Sequence, residues 1–163
     1  MNKQNQLNTQ DKINISRKRY NDEIVKKTMD YQKRYNFELN PRKSHELWNV
    51  EGDAFKHAFM SADMALNMGQ LPSLAIGIYH ENETPNNPSG EWNMDSWNMD
   101  SWNNKQGRII AKEIKREYGN NFKNLSTKQQ EDIIAEKVMQ KMKSGELITS
   151  PDDKRKFNGI IEK

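Results

Sequence analysis

The residues best suited to chemistry lie in the middle of the 163-residue chain. Asp53 precedes His57 by one helical turn, with Lys56 beside it, and His80 is followed directly by Glu81. Asp100, Asn103, Asn104 and Arg108 come next. Neutral imidazole and carboxylate oxygen are ordinary ligands of zinc and manganese, and carboxylate oxygen of calcium. His57, His80, Asp100 and Asp53 are therefore the candidate ligands of a divalent cation. Near such a cation a His–Glu pair can divide the work, the imidazole ligating and the carboxylate taking a proton from water. This makes Glu81 the candidate general base or acid, with His80, His57 and Asp100 completing the catalytic set. Asn103, Asn104, Arg108 and Lys56 are candidates for binding substrate, because carboxamides and cations hold phosphate, carboxylate or a developing oxyanion. Without a metal, Glu81 and Asp100 would suit glycoside cleavage as a pair of carboxylates.

Each of these residues also has a structural use. His57 fits a hydrogen-bonded interior histidine, and Asp53 fits the positive end of a helix. Asn103 and Asn104 suit a helix cap. Arg108 suits a surface pair with Asp100 or Glu113. The spacings match no HExxH, CxxC, Gly-rich phosphate loop or nucleophile-elbow motif. Glu81 breaks a local rule, since it sits near the end of a helix where the dipole disfavours an anion, and such departures concentrate at sites. A second pair, His45-Glu46, has no helical partner stripe and reads as a loop or helix start.

The elements that must position these residues are helical. Runs of alternating Val, Ile and Thr are missing, and turn-forming residues concentrate in 82–101, so the chain reads as all-α. The first helix is expected over about Asp11–Phe37, ended by Asn40-Pro41. The second runs over Glu51–Asn67 with Gly69 as its stop. Winding it at 100° per residue puts Phe55, Ala58, Phe59, Ala62, Ala65 and Leu66 on one arc and Asp53, His57, Met60 and Met64 on the other. Residues 72–82, apolar nearly all round, are expected as a short buried helix. The fourth helix is expected to begin near Ser101–Asn104 and run to Tyr118. The fifth is expected from Ser126, paired with Gln129 in a capping box, to Lys143. The expectation is one compact domain of about five helices, with a long Asn/Trp-rich loop between the third and fourth. Residues 1–10 form a flexible polar start, 11–163 the domain, and 49–118 its motif-bearing core.

Inside the expected loop a unit Trp-Asn-Met-Asp-Ser occurs twice from Trp92 and begins again at Trp102. It reads either as a duplication, with Asp95 or Asp100 as the site carboxylate, or as a Trp-bearing recognition loop.

Composition narrows the function classes. The chain has no cysteine, which excludes disulfides, thiolate catalysis and Cys-based zinc sites. No segment approaches a transmembrane span, and the polar start lacks the apolar run of a cleaved signal. The protein is thus expected in the cytoplasm or exported by a dedicated secretion route. The net charge of +3 hides an acidic middle: residues 1–45 carry +6, residues 46–104 carry −8 and residues 105–163 carry +5. The acidic, His-containing middle attracts cations. The basic arms leave nucleic acid open as a partner.

The order Asp53-Ala54-Phe55-Lys56-His57-Ala58, His80-Glu81 and Met99-Asp100-x-x-Asn103-Asn104-x-x-Gly107-Arg108 resembles an uncharacterised bacterial domain family. That family is often met at the C-terminal ends of secreted or polymorphic-toxin-like proteins. The resemblance covers about residues 49–118, and its most specific part is the Asn-Asn-x-x-Gly-Arg box. It favours Asp100 as the site carboxylate, with Asp95 the spare. Phe55 lies between Ala54 and the basic position, and Tyr79 stands where the family pattern has alanine. The resemblance implies an all-α domain with a polar His/Glu/Asp/Asn/Arg site, and a cognate immunity or carrier protein as partner. Together these readings lead to a toxin- or effector-like hydrolase acting on lipid, peptidoglycan or nucleic acid. The contrasting expectation is a non-catalytic helical module that binds a partner or a structural cation through the same cluster.

Overall fold

A computed structural model describes residues 9–42, 46–83 and 93–159, with side chains described for 20–42, 46–79 and 93–159. Five α-helices make one all-α body: α1 Thr9–Tyr35, α2 Glu51–Asn67, α3 Gln70–Glu83, α4 Met94–Tyr118 and α5 Thr127–Lys143. A 3-10 turn over Gly119–Asn124 joins the last two, and the described residues include no strand.

The second helix is the axis of the fold. Its Phe55 and Phe59 are fully buried and pack at 5.7 Å between ring centroids. Tyr31 of α1 covers both, at 5.8 and 5.7 Å, and Phe37 stacks on Phe55 at 4.9 Å. Phe37 is not helical, because the chain leaves α1 through Asn36, whose φ of 53° is left-handed. The opposite face of α2, which carries Asp53, His57, Met60 and Met64, is buried as well. A helix buried on both sides needs cover on its polar side, and α3 and α4 provide it.

The fourth helix starts earlier than the sequence suggests. Asn93 caps it by accepting hydrogen bonds from the main-chain N–H groups of Asp95 and Ser96, so most of the Trp-Asn-Met-Asp-Ser repeat is helical and not loop. A five-residue repeat advances 140° per copy on a helix, so equivalent residues face different neighbours. Met94 is exposed and Met99 is fully buried; Asp95 is exposed and Asp100 is buried. The amino-terminal half of α4 buries polar groups from Ser96 to Arg108. Its later half buries Ile110, Ala111 and Ile114.

The repeat also holds the extended chain that follows α5. Asn103, fully buried, donates to the Ile148 carbonyl at 2.8 Å and accepts from the Ile148 N–H at 3.0 Å. Asn98 does the same one unit earlier, donating to the Arg155 carbonyl at 2.9 Å and accepting from the Phe157 N–H at 2.6 Å. Trp97 packs edge-on against Phe157, and Trp102 lies under the Arg155 guanidinium and donates to the Glu146 carbonyl. After a turn at residues 151–152, residues 153–159 are not helical and lie as a strap against α4. Asn103→Ala strips two buried main-chain groups of their partner at once. It is expected to cost about 2 kcal/mol, read as a lowered urea midpoint at constant slope.

The third helix is a correction of a different kind. It forms, but at the surface: Leu71, Ile76, Ile78 and Tyr79 are exposed, while Ser73 and Gly77 are buried. Near-uniform apolarity hid which side turns inward. The inward side is the one on which Ser73 hydrogen-bonds the Ser61 carbonyl of α2 and Gly77 lies against Asn104 of α4. The fifth helix forms as expected, with Ser126 and Gln129 in a reciprocal capping box.

Candidate functional site

The crossing of α2 and α4 is set by Gly107. A Cβ placed there would collide with the Ala58 carbonyl oxygen and lie 2.8 Å from Ser61 Cβ and 3.0 Å from the Ala62 nitrogen. Main chain meets main chain at this point. One turn towards the start of each helix, the polar residues of the two elements face each other.

Asp53 sits in the first turn of α2, where the helix dipole favours a carboxylate. It is also held by three specific groups. Its Oδ2 accepts from the Asn49 N–H at 2.8 Å, its Oδ1 lies 2.6 Å from Lys56 Nζ, and His57 Nε2 is 3.4 Å from the same Oδ1. Burial works to raise the Asp53 carboxyl. The Lys56 ammonium, and after it the His57 ring, outweigh that and keep the group well below the usual carboxylate range. Asp53 is therefore an anion at neutral pH despite being 2% exposed.

His57 is the hub. Its Nε2 lies 3.4 Å from Asp100 Oδ1 as well as from Asp53 Oδ1, and its Nδ1 is 3.4 Å from Asn104 Oδ1. Asp100 and Asn104 are one turn apart on α4, so a single face of that helix meets both sides of the ring. Asp53, His57 and Asp100 each offer one ligand atom, all within 4.8 Å of one another, and all three are buried. This set has the donor chemistry for a divalent cation.

Other expected residues sort differently. Arg108, one turn after Asn104, is buried at 5% exposure, and its carbonyl accepts from Gln70 at 3.2 Å. Asn103 is committed to Ile148 and not to the cluster. Asp95 is exposed, 3.3 Å from Lys156, so of the two repeat carboxylates Asp100 is the one at His57. His80 and Glu81 lie in the last turn of α3, and their side chains fall outside the described residues. His45 falls outside them too, and Glu46 is exposed in a turn.

Two contributors, Asn49 and Ser73, were not anticipated from sequence, and Gly77, expected to admit another backbone, instead meets the Asn104 side chain. Asn49, at a left-handed φ of 57°, turns its N–H to Asp53 while its Oδ1 accepts from Ser96 of α4 at 2.9 Å. An asparagine just before a helix start is the signal that marks such a turn. Ser73 of α3 donates to the Ser61 carbonyl of α2 at 3.0 Å. Gly77 lies over the cluster: a Cβ there would sit 3.5 Å from Asn104 Nδ2. Nothing in a single sequence distinguishes Ser73 from ordinary helix filler.

No curated protein and no solved structure matches this chain. A family described as "Domain of unknown function (DUF6973)" matches residues 21–146, which include α2, α3, α4 and every residue of the cluster. The chain belongs to that family.

Proposed function

We propose that this family member is a small helical hydrolase, working as a toxin or effector domain, with the Asp53–His57–Asp100 cluster as its reactive centre. The observation that supports this most is the gathering of two carboxylates around one imidazole, buried and drawn from two helices. Buried titratable groups of this kind gather preferentially at functional sites. His57, Asp53 and Asp100 would hold a zinc, manganese or calcium ion, with His80 as a further ligand from α3. A bound divalent cation supplies a water acidic enough to attack at neutral pH. Glu81, in the last turn of α3, would serve as the general base and then the general acid. Asn104 and Arg108, successive turns of α4, orient the substrate, and Lys56 keeps Asp53 ionised. The substrate class on this reading is a lipid, a cell-wall glycan or a nucleic acid, and an immunity or carrier protein accompanies the domain.

One observation favours a second reading. Lys56 Nζ already lies 2.6 Å from Asp53 Oδ1, an oxygen that a cation would need. On that reading the cluster is a closed structural network, and the domain binds a partner without catalysis.

Metal analysis separates the two. The purified chain is expected to carry stoichiometric metal, and a chelator to lower its melting temperature by about 5–10 °C. His57→Ala is expected to abolish both the metal and the chelator effect. Glu81→Gln is expected to keep metal and melting temperature while abolishing toxicity on expression in bacteria. Metal-free protein with no response to chelator rejects the metal-assisted hydrolase.

A further inference from the structure

The third helix is built inside out. Leu71, Ala75, Ile78 and Tyr79 recur at the spacing of one helical face, and all four are exposed, Leu71 at 74%. Ser73 and Gly77 face the protein instead. Met68, just before the helix, is 51% exposed and adds to the apolar surface. From Met68 to Tyr79 there is no charged residue. A surface helix that buries serine and glycine while presenting leucine, isoleucine and tyrosine to water marks an interaction face.

Its rim carries the second observation. Lys115 Nζ reaches the Ala65 carbonyl at 3.2 Å, placing an ammonium at the end of α2 beside Met68. Lys112 follows Arg108 by one turn, and the Arg108 carbonyl is held by Gln70 at the start of α3. Both lysines belong to exposed residues. Over Met68–Tyr79 the surface is thus an uncharged apolar ridge with cations at its amino-terminal end. This is the chemistry of a helix lying at the boundary between anionic headgroups and acyl chains. Among the described residues no helix is long and apolar enough to cross a membrane, so the contact is with its surface.

We propose that the outward face of α3 docks the domain on an anionic lipid bilayer, with Leu71, Ile78 and Tyr79 entering the interface and Lys112 and Lys115 meeting headgroups. The inference rests on the α3 surface and holds whether or not the cluster beneath it is catalytic. The test is cosedimentation of the full chain with vesicles of equimolar phosphatidylglycerol and phosphatidylcholine, and with phosphatidylcholine alone. The wild type is expected to bind the mixed vesicles, and more weakly at high salt. The double variant L71Q/I78Q is expected to lower that partition by about tenfold or more with an unchanged circular dichroism melt, since both side chains are exposed. K112Q is expected to weaken binding to the mixed vesicles and leave the neutral ones unaffected. A wild type that stays in solution with the mixed vesicles, or a double variant that binds as well as wild type, overturns the proposal. A wild-type dimer that the same double variant dissociates assigns the face to a second copy of the chain and also overturns it.

Discussion

Asp53→Asn is expected to destabilise the protein by about 2–3 kcal/mol, the cost of removing a charged hydrogen-bond acceptor whose Lys56 partner is itself only partly buried. The asparagine oxygen can still accept from the Asn49 N–H, but Lys56 loses the anion that now balances it and His57 loses its carboxylate neighbour at 3.4 Å. The pH dependence follows from the direction of the shift. The folded carboxyl titrates below its unfolded value, so its contribution is fully present above the ordinary carboxylate pKa of about 3.9 and is lost as pH falls through the folded value. The gap in stability between wild type and Asp53→Asn should therefore be widest near neutrality and narrow below about pH 4. Urea unfolding at a series of pH values measures it. Asp95→Asn is the control: it touches only an exposed pair with Lys156, so its cost should stay within about 0.5 kcal/mol. Equal costs for the two variants would mean that the buried network contributes nothing.

Gly107→Ala is expected to be the most damaging single-methyl addition. Helix propensity alone favours alanine by about 1 kcal/mol. The added methyl meets the Ala58 carbonyl and Ser61 Cβ, groups that cannot move without separating α2 from α4. Overpacking of this kind costs about 1–3 kcal/mol, and a backbone-to-backbone contact belongs at or beyond the top of that range. The net expectation is a loss of about 2 kcal/mol. Because Ala58 adjoins His57, the separation should also weaken the Asp100 and Asn104 contacts to the ring, visible as a shifted His57 imidazole resonance. Gly77→Ala makes the contrast sharp. Its methyl would meet Asn104 at an ordinary 3.5 Å, so propensity dominates and the variant should be slightly stabilised. If Gly107→Ala were equally harmless, the close crossing would not be the constraint on this interface.

What the sequence determined by itself is whatever short-range rules govern. The span of α2, its stop near Gly69 and the Ser126–Gln129 capping box follow from periodicity and cap chemistry. The pairing of Asp53 with His57 is equally local, since four residues on a helix bring two side chains together whatever lies around them. Residue types alone left Asp95 and Asp100 as equals, and only the resemblance to a family with an Asn-Asn-x-x-Gly-Arg box singled out Asp100. The tertiary structure alone decided the rest. Residues 94–101 are rich in Ser, Asn and Asp, which do not favour helix locally, yet α4 starts there because Asn93 caps it and the strap after α5 takes up Asn98 and Asn103. The inward side of α3 was likewise undecidable from an almost uniformly apolar run. It was fixed by Ser73 bonding the Ser61 carbonyl of α2 and by Gly77 lying against Asn104 of α4. Local rules specify one helix at a time. Which faces meet depends on contacts between residues far apart in the chain, and those settle where the polar cluster closes and where the apolar ridge is left outside.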